Sequence, residues 1–339
     1  MNGPQLAMKL ILIFSLLVLS NATKLRKAKQ VLFYSDFKEA PKLFEKFKST
    51  FEKNYNPDEN EKRFQIFRDN LIKAKIFQEL ERGSAKYGVT RFSDLTADEF
   101  KSHFARSNFA LWNREHKVEF QYSLDDIPSW VDWREKGAVT PVENQGFCGS
   151  CWAFSAVGNV EGQWYRKTGK LLRLSKQQLI DCDEVDHGCD GGLPLHAYDQ
   201  IRDMGGIQVE DAYPYSAHQG MCRIDKSKLK VYVNGSLVLS SNETTQAAWV
   251  AVNGPMSVGL NAVMLQFYQS GIMDPSSSLC PAELDHGVLT VGYGVDNGTD
   301  YWLVKNSWGL NWGEQGYFRI RRGAGTCGIN LCATSAVIY

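Results

Sequence analysis

The first 147 residues of this 339-residue chain contain no cysteine, whereas all eight of its cysteines lie at or after Cys148. An absence confined to one part of a chain marks two folding units, of which only the second can be cross-linked. Eight cysteines are typical of a protein that folds in an oxidising compartment. The sequence therefore predicts two units of different construction, and the first must be stable without disulfides.

Long apolar stretches are equally scarce. One run, residues 10–19, follows Lys9 near the start of the chain. Ten residues are too few to cross a bilayer, so the run predicts a secretory signal peptide over residues 1–22, cleaved after Ala22 or alternatively after Ser20. A buried helix is the other interpretation of this run. No membrane span is expected elsewhere, and the predicted location is the secretory pathway, ending in a lysosome-like compartment or outside the cell.

The chain has no excess of charge of either sign, with 38 basic and 38 acidic side chains. This balance argues against a nucleic-acid partner. It also hides an asymmetry, because residues 24–126 carry a net charge of +4 and residues 127–339 a net charge of −5. Opposite charges favour docking of the first unit on the second, although net charge does not specify a site.

The most informative motif is Asn-Gln-Gly-Phe-Cys-Gly-Ser-Cys-Trp-Ala-Phe-Ser at residues 144–155. Cys151 opens an amphipathic run that stops near Gly169, which predicts a helix. A cysteine at a helix N-terminus lies at the positive end of the helix dipole, and this favours the nucleophilic thiolate. The alternative is that Cys148 and Cys151 form a Cys-x-x-Cys metal or redox pair, which the zinc content of the purified protein would reveal.

Two distant residues supply partners for such a thiolate. His286 heads an apolar stretch that ends in glycines, and Asn306 follows a second apolar stretch among tryptophans. An imidazole that acts as a base needs a third group to orient it, and an asparagine can accept its N–H. Taken singly, these would be a structural histidine and a turn residue. Together with Cys151 they predict a cysteine, histidine and asparagine acting as a catalytic unit.

The motifs at residues 145–152 and 306–313 resemble those of the papain family of cysteine proteases, and the resemblance covers nearly the whole chain. It implies that Cys151 is the nucleophile, His286 the general acid and base, and Asn306 the group that orients it. The Gln145 side chain and the Cys151 backbone N–H would form the oxyanion hole. Trp308 would shield the Asn–His hydrogen bond and form the floor on the leaving-group side. No metal or cofactor is implied.

The same resemblance implies an α+β, papain-like fold of two subdomains over residues 127–339. A helical subdomain would carry Cys151, and a β-barrel-like one would carry His286 and Asn306. Residues 23–126 would form a helical inhibitory pro-region that crosses the cleft backwards. Its identity is indicated by helical spacing, which alone would also fit an ordinary amphipathic helix, and by residues that resemble the pro-region helix of cathepsins. These residues are Glu59, Arg63, Phe67, Asn70, Ala74 and Gln78, and the last two resemble the variant found in the cathepsin F and W subfamily.

The cysteine pairing cannot be obtained from the sequence itself. The resemblance implies the disulfides Cys148–Cys189, Cys182–Cys222 and Cys280–Cys327, and it leaves Cys332 outside them. Sequons at Asn234, Asn242 and Asn297 suit a glycosylated secretory protein, although such triplets also arise by chance.

Substrate contacts are also assigned by resemblance. Gly191 and Gly192 would pair with a substrate strand, although they also fit a plain turn. The main specificity pocket, S2, would contain no charge and accept an apolar side chain at substrate position P2. Cys332 could instead be a small buried residue without access to substrate. The predicted S2 residues are Leu193, Pro194, Gly259, Leu284, Gly287 and Cys332, and Asp285 and Trp308 complete the predicted substrate contacts.

The resulting prediction is a secreted or lysosomal cysteine endopeptidase made as a zymogen. Endopeptidase action is favoured because no long insertion or His-His pair separates Gly192 from Cys222. The expected partners are protein and peptide substrates, the chain's own pro-region and, by resemblance, cystatin-type inhibitors; the enzyme would be a monomer. An inactive homologue that acts as an inhibitor or binding protein is the alternative, and the intact Cys151, His286, Asn306 and Gln145 argue against it.

Overall fold

The computed structural model describes residues 39–107, 109, 117–118, 122 and 127–339. The predicted signal peptide lies outside these ranges. Within them, none of the helices has the length and apolar character needed to cross a membrane. After the roles that the resemblance implies, we refer to residues 23–126 as the pro-region and to residues 127–339 as the catalytic unit.

The described part of the pro-region is mainly helical. Its second helix begins after Asn56, whose side chain accepts a hydrogen bond from the Glu59 N–H, and its third begins with a capping box formed by Thr96 and Glu99. The helix predicted around residues 59–78 is thereby confirmed. The elements are α1 (39–50), α2 (Pro57–Leu80), β1 (Lys86–Tyr87), α3 (Ala97–Phe104) and β2 (Lys117–Val118).

The spaced polar residues of α2 bind the backbone of the segment that follows it. Arg63 donates to the Asp94 carbonyl oxygen, Asn70 donates to those of Ser93 and Leu95, and Gln78 to that of Ala85. An ordinary amphipathic helix would instead place apolar residues on its buried face. The residue identities of this face therefore matter as much as the spacing.

The helical half of the catalytic unit surrounds α4, whose last turn ends at Gly169 with a φ of 70°. Its core contains Trp152, Ala156, Val160, Leu179 and Ile201, all fully buried. The structure confirms the helix that the sequence predicts to begin at Cys151. The elements of this half are α4 (Cys151–Thr168), α5 (Lys176–Cys182), α6 (Pro194–Asp203), β4 (Ile207–Gln208) and β5 (Leu229–Val231).

The other half of the catalytic unit is built on a nine-stranded sheet. Its elements are β3 (Val131–Asp132), β6 (Gly235–Leu239), α7 (Glu243–Asn253), β7 (Met256–Leu260), β8 (Tyr268–Ser270), β9 (Ile272–Met273), β10 (His286–Asp296), β11 (Thr299–Lys305), β12 (Tyr317–Arg321) and β13 (Ala333–Val337). The strand order is β2-β6-β13-β7-β10-β11-β12-β9, and β3 also pairs with β10. The pro-region strand β2 lies parallel to β6, and β1 pairs with β8. The predicted α+β class is confirmed.

Three disulfides cross-link the catalytic unit. They join Cys148 to Cys189, Cys182 to Cys222 and Cys280 to Cys327, which are the pairs that the resemblance implies. The first two lie in the helical half, and the first closes a loop that contains Cys151. Cys332 is buried and belongs to none of them.

Candidate active site

The thiol of Cys151 is the first side chain of α4 and is fully buried. The helix is held against the sheet by two buried polar contacts. Ser155 donates to the Val288 carbonyl oxygen at 2.7 Å, and Asn159 donates to that of Pro255 at 2.8 Å. Because Val288 lies two residues into β10, these contacts bring the start of the helix to the start of that strand.

His286 and Asn306 meet at one end of the sheet. His286 is the first residue of β10, Asn306 follows the last residue of β11, and the two strands are antiparallel neighbours. The His286 Nε2 atom lies 2.8 Å from the Asn306 Oδ1 atom. The Trp308 ring stacks on the imidazole with 4.8 Å between centroids and is fully buried. His286, Asn306 and Trp308 therefore lie together, and the roles assigned to them from the sequence stay predictions.

The electrostatics favour an ionised thiol. Burial raises the pKa of Cys151, but His286, the Gly287 backbone and the Ser107 hydroxyl together outweigh burial and lower the pKa to about 7. Burial lowers the pKa of His286, but the interactions with Cys151 and Asn306 raise it by a larger amount, so the net shift is upward. Each group thus stabilises the charged form of the other.

Gln145 lies beside this pair. Its Nε2 atom donates to the Cys148 carbonyl oxygen at 2.9 Å and to that of His103, in the pro-region, at 3.3 Å. Its Oε1 atom accepts from Ser307 at 2.5 Å, and its backbone N–H donates to the Ser307 carbonyl oxygen at 2.8 Å. The amide group is therefore oriented by Ser307, with its N–H₂ toward the cleft.

Ser307 is a functional residue that the sequence analysis missed. Its backbone N–H donates to the Asn306 Oδ1 atom at 2.8 Å, in addition to its two contacts with Gln145. It thus links the residue that orients the imidazole to the predicted oxyanion-hole residue. The available signal was its place in the Asn-Ser-Trp-Gly motif.

The pro-region occupies the cleft. The Ser107 N–H donates to the Asp285 carbonyl oxygen at 2.8 Å, and its hydroxyl lies 3.2 Å from the Cys151 sulfur atom. The Arg106 carbonyl oxygen passes so close to Gly191, whose φ is 112°, that a Cβ atom there would lie 1.9 Å from it. The side chain of Phe109 packs against Leu193, Leu284 and Cys332. Sequence reasoning had no signal for Ser107 or Phe109, since neither belongs to a motif.

Most of the predicted substrate contacts adjoin this pro-region segment. A Cβ atom on Gly259 would lie 2.6 Å from the Phe109 ring. Pro194 begins α6, and Gly192 and Gly287 lie against Trp152. Gly192 and Pro194 flank Leu193 in the sequence, and Gly287 pairs with Gly259 between β10 and β7. The predicted contacts that meet the pro-region directly are Gly191, Leu193, Gly259, Leu284, Asp285, Trp308 and Cys332.

The three sequons are all exposed. Asn242 caps α7 by accepting from the Thr244 N–H, Asn234 accepts from the Tyr339 N–H, and Asn297 lies in the turn between β10 and β11 with a φ of 48°. Across the described residues, His, Cys, Asp and Glu side chains do not form a group of three or more that could hold a metal ion.

A buried thiol at a helix N-terminus, an imidazole oriented by an amide and a pro-region across the cleft together define a thiol-protease type of centre. Residues 127–337 match the family described as papain family cysteine protease, and residues 44–100 match the cathepsin propeptide inhibitor domain (I29). The chain belongs to the papain family of cysteine proteases.

Among its relatives, cathepsin F of Mus musculus is 48% identical over 302 residues, which cover 87% of this chain and 64% of the relative. Cathepsin F of Drosophila melanogaster is 44% identical over 318 residues, covering 89% and 51%. The chain thus spans less than two thirds of the length of either. The solved recombinant stem bromelain precursor is 34% identical with a TM-score of 0.80, covering 88% of this chain and 99% of that one.

Proposed function

We propose that this protein is a cysteine endopeptidase made as an inactive precursor. The observation that carries the proposal is the His286–Asn306 contact of 2.8 Å next to a Cys151 thiol whose pKa is lowered to about 7. A nucleophile and a base whose ring is held by a third group have the geometry that nucleophilic catalysis requires.

In the proposed reaction His286 takes the thiol proton, and the Cys151 thiolate attacks the carbonyl carbon of a peptide bond. The oxyanion that develops is held by the Gln145 Nε2 group and the Cys151 N–H. Each such donor typically contributes about 3 kcal/mol. His286 then protonates the leaving amine, which departs and leaves a thioester. Water, deprotonated by His286, hydrolyses the thioester and restores the thiol.

The path of the pro-region supports inhibition without cleavage. Phe104 packs near Trp308, Ser107 contacts Cys151, and Phe109 lies among the predicted S2 residues. A substrate would place its P2 side chain in S2 before the cut and its leaving group beyond Cys151, near Trp308. The pro-region therefore runs in the opposite direction to a substrate, so its peptide bonds are not presented for attack.

The apolar surroundings of Phe109 support a preference for apolar side chains at P2. Phe109 packs in one apolar group with Leu193, Leu284 and Cys332. Burying an unpaired guanidinium there would be costly. We expect Leu, Phe or Val to be preferred over Arg at this position.

Other parts of the proposal rest on family resemblance. The pro-region, residues 23–126, would be released near Ile127, and cystatin-type proteins would inhibit the monomeric mature enzyme. Passage through the secretory pathway to a lysosome-like compartment or the cell exterior would suit the three disulfides and the exposed sequons Asn234, Asn242 and Asn297.

A peptide-library cleavage profile of the full chain after acid treatment tests the proposal. At about pH 4–5, where carboxylates begin to titrate, the negative charge of the catalytic unit falls and the pro-region should detach. We expect cleavage within peptides, after apolar P2 residues, and complete loss of cleavage with a thiol-alkylating epoxide. Absence of cleavage after verified release of the pro-region, or cleavage insensitive to the epoxide, would overturn the proposal.

A further inference from the structure

The Tyr213-Pro214-Tyr215 segment adjoins the active site and has no role in the proposed reaction. The Tyr215 hydroxyl donates to the Gln145 carbonyl oxygen at 2.7 Å and lies 2.7 Å from the Ser150 hydroxyl. The Gln145 side chain carries one of the two predicted oxyanion donors. Ser150 directly precedes Cys151, whose backbone N–H is the other. One phenol thus joins the two parts of the predicted oxyanion hole.

The direction of these hydrogen bonds follows from their proton count. Tyr215 has a single hydroxyl proton, which it gives to the Gln145 carbonyl oxygen, so in the 2.7 Å contact the Ser150 hydroxyl donates to the phenol oxygen, which is nearer to it than the Cys148 carbonyl oxygen at 3.4 Å. Ser150 is fully buried, and its side chain makes no capping bond to α4 in the described structure. Burial raises the pKa of Tyr215, which keeps the phenol protonated. The Phe154 ring packs edge-on against the Tyr215 ring at 5.0 Å and holds it in place.

The two halves of the catalytic unit hold Gln145 from opposite sides. Ser307, which follows β11 in the sheet half, orients the amide and accepts the backbone N–H of Gln145. Tyr215, in the helical half, holds its backbone carbonyl oxygen. Without the Tyr215 contact, the position of Gln145 would be set mainly by Ser307, and the position of Cys151 would be set mainly by α4. The distance between the two oxyanion donors would then depend on the contact of the Gln145 amide with the Cys148 carbonyl oxygen at 2.9 Å and on the intervening chain.

We propose that Tyr215 is a positioning residue that fixes the separation of the Gln145 side chain and the Cys151 backbone N–H, so that both donors reach the same oxyanion. This inference rests on the proposed function. It assigns to Tyr215 an effect on transition-state stabilisation and none on ionisation of the thiol.

The test compares Tyr215→Phe with Tyr213→Phe in the full chain after acid activation. The two variants remove the same hydroxyl group from the same segment. The Tyr213 hydroxyl donates to Asp181 at 2.8 Å and accepts from the Arg223 N–H at 3.0 Å, away from Gln145. Rates are expressed per thiol titrated with an irreversible epoxide, so that incomplete folding or activation does not affect them.

Loss of a complete oxyanion donor costs about 10²–10³-fold in kcat, and displacement of a donor should cost less. For Tyr215→Phe we expect kcat on a peptide amide to fall about tenfold with KM within about twofold. Affinity for a peptide aldehyde, which forms a tetrahedral oxyanion on the thiol, should weaken by the same factor. The alkylation rate with iodoacetamide, which needs no oxyanion hole, and its pH profile should not change. Tyr213→Phe should match the wild type in all these measurements.

The outcomes separate this inference from the proposed function. Wild-type protein with a titratable thiol but no peptide cleavage would contradict the proposed function itself. Cleavage by the wild type together with equal aldehyde affinities in the two variants would overturn only the role of Tyr215. A shifted alkylation pH profile in Tyr215→Phe would also overturn it, because the effect would then lie in the thiol.

If Tyr215→Phe yields no titratable thiol, Ser150→Ala takes its place, because it removes the donor that holds the phenol oxygen near Gln145. A parallel loss of kcat and aldehyde affinity, of about two- to threefold, would then support the proposal. Unchanged values would overturn it.

Discussion

The pro-region and the catalytic unit are stabilised by different interactions. The pro-region packs α1 on α2 through Phe44, Phe47 and Phe67 and relies on polar contacts such as those of Arg63. The catalytic unit has three disulfides and two extensive apolar cores, one of which it shares with pro-region residues such as Phe92 and Phe104. Ion pairs depend on pH and salt, whereas disulfides and apolar packing depend on them weakly. The comparison indicates that the contacts within the pro-region should depend more on pH and salt than those within the catalytic unit.

The two parts should also respond differently to acid. Within the pro-region, Glu99 is partly buried but accepts hydrogen bonds from Arg63 and the Thr96 N–H, which lower its pKa to about 2. This carboxylate remains charged at about pH 4–5, where ordinary carboxylates titrate. We therefore expect acid to release the pro-region by weakening the attraction between its net positive charge and the net negative charge of the catalytic unit, and not by unfolding the pro-region.

The largest expected effect is on kcat, with no change expected in the free energy of unfolding. Cys151→Ala should lower kcat by about 10⁵-fold or more, because no other group can form the thioester. The unfolding midpoints of both parts should match those of the wild type, as measured by denaturant titration, and the precursor should stay unprocessed. His286→Ala should be comparably inactive and Asn306→Ala less affected. Activity of Cys151→Ala within tenfold of the wild type would contradict the assignment.

The second prediction concerns the removal of one disulfide from the catalytic unit. Replacing both Cys148 and Cys189 by Ser opens a loop with a sequence separation of 41 residues. Chain entropy predicts a loss of about 4 kcal/mol in the free energy of unfolding of the catalytic unit. The pro-region contains no cysteine, so its own unfolding transition should not move. Equal destabilisation of both transitions would show that the two parts do not differ as proposed.

The third prediction tests the surface that both parts share. Cys332 packs beside Phe109 in the group that also holds Leu193. Cys332→Glu should raise the ratio of Arg to Leu cleavage at P2 by about tenfold or more, because a carboxylate can pair with the guanidinium that an apolar pocket excludes. It should also weaken inhibition by the pro-region. Cys332→Gln, of equal size and no charge, is the control, and an unchanged ratio in Cys332→Glu would show that residue 332 does not line S2.

The fourth prediction concerns the pH response of the pro-region. Because the Glu99 pKa is lowered to about 2, its ion pair adds stability above about pH 4.5 that is lost as the pH falls through 2. Glu99→Gln should cost about 1–2 kcal/mol of pro-region stability at pH 6, after allowance for partial solvent screening, and the difference should vanish near pH 2. Glu61→Gln, at an exposed site of α2, is the control. A difference that grows on acidification would contradict the sign.

The smallest effect is expected for the exposed ion pair between Arg106 and Asp190, whose atoms lie 2.9 Å apart with about half or more of each side chain accessible. Arg106→Ala should weaken inhibition by the pro-region by at most about fivefold, the range for exposed pairs. Repeating the inhibition assay at about 1 M salt should remove the difference. A loss that persists in high salt would indicate a packing role for this side chain.

The sequence predicted the elements whose signals are local. The helix at Cys151 has a regular apolar period and a glycine stop, and α2 has a periodic polar face. Cys151, His286 and Asn306 could be proposed as a catalytic unit because they are reactive or orienting residue types in specific motifs. Ser107 and Phe109 could not, because they belong to no motif and acquire such a role only from their neighbours, and for Ser307 the motif gave a position but not its contacts.

The amino-acid sequence by itself determined the chemistry of this protein: a thiol at a helix start, an imidazole, an amide and a cysteine-free preceding unit. The tertiary structure decided which side chains hold that chemistry in place. Tyr215 and Gln145 are 70 residues apart in sequence, and Ser107 and Cys151 are 44 apart. Hydrogen bonds require approach to about 3 Å with suitable direction. Only the folding of both segments onto common cores brings such distant groups to that distance.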